Sequence, residues 1–192
     1  MRTCSAPLAS TASAGTAIKR LGAALLLLCL SACVALPDGI QPVTGFQADR
    51  YLGTWYEIAR LDHGFERGMS HVTAEYRKRD DGGIEVVNRG WLADGKTWKE
   101  ARGKAYFVDR PDVGHLEVSF FGPFYGSYVV FELDRQDYRY ALVSGPDRSY
   151  LWLLARSPTL DAATRERLVA RAAAAGFDTS KLIFVDHSPL PK

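Results

Sequence analysis

From residue 53 onward apolar and polar residues alternate in short runs of seven to eleven, each closed by turn-forming residues. A period of two is the mark of half-buried strands. The alternation predicts strands at 53–61, 71–79, 84–92, 98–108, 115–121, 127–134, 138–144 and 150–156. The breaks between them hold Asp80-Asp81-Gly82-Gly83, Ala93-Asp94-Gly95, Arg110-Pro111-Asp112, Gly122-Pro123, Arg135-Gln136-Asp137 and Gly145-Pro146-Asp147. Links this short favour antiparallel neighbours, and closing eight strands on themselves removes the exposed edges. The period then changes. Leu168, Ala172 and Ala175 fall on one face of a helix expected at 160–175, with Thr159 or Asp161 to cap its start and Gly176 to end it. A short apolar strand, 182–185, follows. The fold class expected is all-β: an eight-stranded antiparallel up-and-down β-barrel, with one C-terminal α-helix packed outside.

Ahead of the barrel lies a different pattern. Residues 1–32 contain no acid; Lys19 and Arg20 precede an apolar run, Leu21 to Leu30, with four consecutive leucines. Ten apolar residues are too few to span a bilayer, but positive charge followed by a short apolar run is the design of a secretory signal. The run closes Leu30-Ser31-Ala32-Cys33, which resembles the lipobox of bacterial lipoproteins. That resemblance implies cleavage before Cys33, lipidation of its thiol and, with Val rather than Asp at position 34, sorting to the outer membrane. The expected organisation is a signal at 1–32, a lipidated tether at 33–48, the barrel domain at 49–187 and a tail at 188–192.

This division changes the composition. The whole chain has 192 residues, 24 Lys+Arg, 22 Asp+Glu and three cysteines. Residues 33–192 lose three basic residues and no acidic ones, which leaves a net charge near −1 and one cysteine. A charge that small excludes an electrostatically driven nucleic-acid partner. A single, lipidated cysteine excludes an intrachain disulfide. Two or more acyl chains give stable anchoring.

Three segments identify a family. Gly53-Thr54-Trp55-Tyr56-Glu57-Ile58-Ala59-Arg60 contains Gly-x-Trp at the head of the first strand, Asp134 to Tyr138 lies between the sixth and seventh, and Arg156 ends the eighth. Together, in this order, they resemble the three lipocalin motifs, and 51–60, 120–126 and 145–152 are similar to the bacterial branch related to apolipoprotein D. Strand counting puts Trp55, the 134–138 loop and Arg156 at one end, so Gly53, Trp55, Asp134, Tyr138 and Arg156 are assigned to the closed base, with a structural role. The opposite end, formed by 62–70, 93–97, 121–127 and 145–149, is the mouth. Its aromatic loop (Phe120, Phe121, Phe124, Tyr125) either plugs the entrance or meets a membrane or a second copy in a homodimer.

The resemblance implies a binding protein for a fatty acid or lysophospholipid. Strand parity and the family alignment point Ala59, Val72, Ala74, Tyr76, Val86, Asn88, Leu116, Val118, Phe120, Tyr128, Val130, Val143, Tyr150 and Trp152 into the cavity. Glu57, Arg102 and Glu132 are further candidates for the interior or rim. The four histidines (63, 71, 115, 187) are scattered without metal-site spacing, and no Gly-x-Ser-x-Gly elbow is present. Neither cofactor nor metal nor catalysis is therefore expected. A ligand-free structural lipoprotein, a lipocalin-type enzyme and a haem binder are the alternatives.

Overall fold

The computed structural model describes residue 34 and residues 36–190. The signal segment and Cys33 lie outside these. The main elements are a one-turn helix α1 (Ala48–Tyr51), β1 (Gly53–Arg60), β2 (Met69–Lys78), β3 (Ile84–Leu92), β4 (Thr97–Phe107), β5 (His115–Phe121), β6 (Phe124–Leu133), β7 (Tyr140–Ser144), β8 (Leu151–Ala155), α2 (Ala162–Ala174) and β9 (Ile183–Phe184). Each strand pairs antiparallel with the next from β2 to β8, β8 pairs with β1, and β1 pairs with β2. The eight strands thus form a closed barrel. β9 adds to β1 at Ala59 and Arg60, beyond the stretch where β1 pairs with β2.

The alternating pattern leaves apolar side chains on both faces, and each face has its own cluster. Inside the barrel, Trp55, Tyr76, Ile84, Val86, Leu116, Val130, Val143 and Leu154 pack together. Outside, Ile58, Ala59, Val129, Phe131, Leu142, Leu151 and Leu153 pack under the helix residues Leu168 and Ala172 and under Phe177. Asp161 caps α2, its side chain accepting from the Thr164 amide at 2.9 Å. Gly176, with φ of +86°, turns the chain away in the left-handed conformation that glycine adopts without cost.

The structure corrects several expectations. β6 begins at Phe124 rather than 127, because the β5–β6 ladder runs to its tip, where Phe121 pairs with Phe124. β7 begins at Tyr140, since Tyr138 has φ of +56° and belongs to the turn. The larger correction concerns 33–48, read as a tether. Ile40, Val43 and Phe46 are buried, and the last two belong to the cluster inside the barrel. Val43 donates to Val130 O and accepts from Gly114 N, both at 2.8 Å, and Phe46 N donates to Asp112 O at 2.9 Å. A Cβ at Gly114 would come within 2.8 Å of the Val43 side chain, so glycine is what lets the segment approach. From Ile40 on, this segment is part of the fold.

Candidate binding cavity

The base closes around Trp55, which has no exposure. Its indole Nε1 donates to Tyr51 O at 2.8 Å, and the Arg156 guanidinium lies 4.0 Å from its ring centroid. Arg156 also donates to Thr54 O at 2.9 Å and Arg50 O at 2.7 Å, tying three elements together. Asp134 accepts from Arg139 Nε at 2.7 Å, and the buried Tyr138 hydroxyl accepts from Gln47 N at 3.0 Å. Burial opposes ionisation of Asp134, but the bonds from Arg139 outweigh it and hold the carboxyl below its ordinary range. Gly53, Trp55, Asp134, Tyr138 and Arg156 thus meet at one end.

Above the base lies a cavity of about 270 Å³. Ten of the fourteen residues assigned to it line its wall: Val72, Ala74, Tyr76, Val86, Asn88, Val118, Phe120, Tyr128, Tyr150 and Trp152. Leu116, Val130 and Val143 point inward but pack lower, against the segment that holds Val43 and Phe46, and fill the space beneath. Ala59 faces outward. A β-bulge between Glu57 and Ala59 inserts a residue, so Ile58 and Ala59 both join the outer cluster while Arg60 turns in. Of the other three candidates, Glu57 lines the cavity. Glu132 sits outside and reaches the helix through Arg171 at 3.2 Å, and Arg102 pairs outside with Glu100 at 2.8 Å.

Three tyrosines form the polar floor. Tyr128 OH lies 2.7 Å from both Tyr51 OH and Tyr76 OH. Burial pushes the Tyr51, Tyr76 and Tyr128 hydroxyls well above their usual range, so all three stay neutral.

A second polar group flanks the upper cavity. Arg60, 1 % exposed, donates from Nη1 to Glu57 Oε1 at 2.7 Å and from Nη2 to Glu66 O at 2.8 Å. Glu66 Oε2 accepts from Trp152 Nε1 at 3.1 Å and lies 3.0 Å from His63 Nε2. Burial and the second carboxylate push Glu57 well above the usual carboxylate range; Arg60 opposes this and does not win. Burial acts on Glu66 as well, but His63, Trp152 and Glu57 outweigh it and hold that carboxyl low. One neutral and one charged carboxyl against one guanidinium is the arrangement that a nearly dry site tolerates. The result fastens the β1–β2 loop across one side of the mouth.

Sequence reasoning did not assign Phe65, Glu66, Thr73, Gly126, Ser127, Gly145, Pro146 and Leu154, which also line the cavity. Leu154 and Gly126 share parity with Trp152 and Tyr128, so for them the signal was present. Thr73 follows a register shift between Ser70 and Thr73, and Phe65 and Glu66 lie in a loop, where no period operates. A second, outer cavity of about 520 Å³ shares Phe65, Glu66, Val72, Asn88 and Phe120 with the inner one and is bordered as well by Arg67, Arg89, Lys99, Glu100, Phe121 and Phe124. Among the described residues no cluster of His, Cys, Asp or Glu has metal-site geometry.

The Lipocalin-like domain model matches residues 46–187, the whole barrel and its helix. The chain belongs to the lipocalin family. It is 56% identical over 168 residues to outer membrane lipoprotein Blc of Vibrio cholerae, covering 86% of this chain and 98% of that one. It is 54% identical over 151 residues to the protein of the same name from Escherichia coli K12, covering 79% and 85%. Mouse apolipoprotein D is 30% identical over 155 residues, with 76% and 79% covered. Among solved structures, insecticyanin from the tobacco hornworm superposes with a TM-score of 0.64 at 22% identity, over 80% of this chain and 87% of that one, which supports the barrel fold. No described helix is long and apolar enough to cross a membrane.

Proposed function

We propose that this lipocalin is an outer-membrane lipoprotein, anchored through a lipidated Cys33, whose barrel binds a single-chain lipid, a fatty acid or a lysophospholipid. The observation that carries the reading is the cavity itself. It is walled by Val72, Ala74, Val86, Val118, Phe120 and Leu154 and ends on neutral tyrosine hydroxyls. The outer space of about 520 Å³ lies within the range that small-molecule sites occupy, roughly 300–1,000 Å³, and the inner space of about 270 Å³ adds a narrow apolar extension to it. Each methylene placed there contributes up to ~0.8 kcal/mol, so several suffice for micromolar binding once association costs are met. No basic side chain lines the inner cavity, whereas Arg67, Arg89 and Lys99 border the outer one together with Glu100; Arg67 pairs with Asp62 at 2.9 Å and Arg89 with Glu100 at 3.6 Å, which leaves Lys99 as the cation best placed for a head group. That distribution seats the tail inside and an anionic head group outside. The lipobox at Leu30–Cys33 supports the anchor, as do the names of the 54–56% identical relatives. Binding, storage or transport of such lipids in envelope maintenance is the role we assign.

Mass spectrometry of lipids extracted from protein purified without added lipid tests this reading. One single-chain lipid class should recur at up to one molecule per barrel. An empty cavity, together with no displacement of a fluorescent fatty acid, contradicts it.

A further inference from the structure

We propose that residues 183–188 form a releasable strap across the upper seam between β1 and β2, and that its release opens a side route into the inner cavity, separate from the mouth. The proposal rests on the reading of that cavity as a lipid site and goes beyond it in assigning how a chain enters and leaves.

β1 and β2 share a ladder only from Gly53 opposite Tyr76 to Tyr56 opposite Thr73. Above it, the C-terminal segment takes the edge of β1 that β2 has left. β9 pairs with Ala59 and Arg60, Val185 N donates to Ile58 O at 3.0 Å, and His187 Nε2 donates to Glu57 O at 2.8 Å. The other edge of the segment meets β2, where His71 N donates to Asp186 O at 2.8 Å and His71 Nε2 donates to Ser188 O. A strand lying between two others holds them two spacings apart, roughly 9–10 Å. Without the strap, a window of that width stands between Glu57 and Ile58 on one side and Ser70 to Val72 on the other. Arg60 bridges its top, donating from Nη2 to Met69 O at 3.2 Å, and the ladder closes it below. Glu57 lines the inner cavity, as do Val72 and Thr73 just after His71, so the strap covers the outside of the cavity's own wall.

Two observations make the strap the part of the wall that lets go first. None of its side chains is fully buried, and Ile183 and Phe184 are 39 % and 52 % exposed, whereas each of β1 to β8 buries at least one residue. The strap is held by the hydrogen bonds above and by edge-on ring contacts of His187 with Tyr56 at 5.6 Å and with His71 at 5.9 Å. A segment that buries so little apolar area opens locally before the fold does. Second, His71 has φ of +53°, a left-handed conformation that a residue with a side chain adopts at a cost and keeps only where its surroundings fix it. Its amide and its ring both end on the strap, so release frees the residue to relax. No strap residue lines either cavity. The strap therefore governs passage through the wall and makes no contact with the bound chain.

Amide hydrogen exchange and stopped-flow exchange of a fluorescent fatty acid, on the same purified protein, test this. The amides of His71 and Val185 each form a bond that the strap provides. They should exchange together, well ahead of the bonded amides of the β1–β2 ladder at 53–56 and 73–76. His187→Ala takes one bond and two ring contacts from the strap. It should speed uptake and release of the probe alike, by ~5-fold, and leave Kd unchanged. A variant that ends at Val185 should exchange the probe faster still. Asp161→Ala lowers stability through the cap of α2, away from the seam, and should keep both wild-type rates. Unchanged rates in His187→Ala, or equal acceleration by Asp161→Ala, overturn the proposal. So do His71 and Val185 amides that exchange only together with the ladder, and a raised Kd with unchanged uptake in His187→Ala, which would make the strap part of the binding site. If the wild-type protein takes up no probe, the cavity reading falls, and the amide exchange still decides whether the strap releases on its own.

Discussion

Trp55 has a partner on every side: Tyr51 at 4.7 Å between ring centroids, Arg156 over its face and a backbone carbonyl for its Nε1. Trp55→Ala leaves a cavity at the base and should cost ~3–5 kcal/mol in urea unfolding. The Gly-x-Trp motif made this residue legible, because strand counting puts Trp55 and Arg156 at the same end of the barrel, where they stack. Ala59 was not legible. Its outward turn depends on one inserted residue, and a single bulge reverses parity for all that follows in the strand. The same bulge brings Arg60 beside Glu57. Glu57 has a raised folded-state pKa, so between its ordinary value, near 4.3, and that raised value the native protein holds the extra proton and stability falls as pH rises. Glu57→Gln removes this loss. Its stability relative to wild type should grow with pH above about 4.3. Glu66 acts in the opposite sense, and the loss of stability below that pH should persist in the variant. A difference between the two proteins that does not vary with pH would show that Glu57 is ionised in the fold.

At the scale of elements, the period of two located all eight barrel strands and the period of 3.6 the helix, because alternate strand positions bury in the inner and outer clusters while the helix buries one stripe in the outer one. Asp161 holds the start of α2, and Asp161→Ala should destabilise by ~1 kcal/mol. The failure was the stretch from Ile40 to Phe46. Its buried residues recur at every third position, among Pro37, Gly39, Pro42 and Gly45, a spacing that fits neither the strand period of two nor the helix period of 3.6, and the bonds that pin it go to the distant Val130, Gly114 and Asp112. Those bonds seal the lower barrel. If Ile40–Phe46 were only a tether, Phe46→Ala would be neutral; packed against Tyr51, Phe107 and Tyr138, it should cost ~3–5 kcal/mol, readable as a lowered urea midpoint.

The whole molecule divides its length between a sealed base and an open mouth. Trp55, Tyr138 and Arg156 close one end, and the inner cavity begins where Leu116, Val130 and Val143 stop filling the barrel. The sequence showed that small and aromatic residues line the interior. It could not show how high the packed base rises, which depends on Val43 and Phe46 entering from outside the strand pattern. The central claim is that the space above that base holds one lipid chain. Ala74 lines it, and its side chain is small enough that Ala74→Trp adds a ring to the cavity. Titration of a fluorescent long-chain fatty acid into both proteins is the most direct measurement. Saturable, roughly micromolar binding at one site in the wild type, weakened at least ~10-fold in a folded Ala74→Trp, is the predicted result. Equal binding by the two proteins would place the lipid elsewhere and contradict the account.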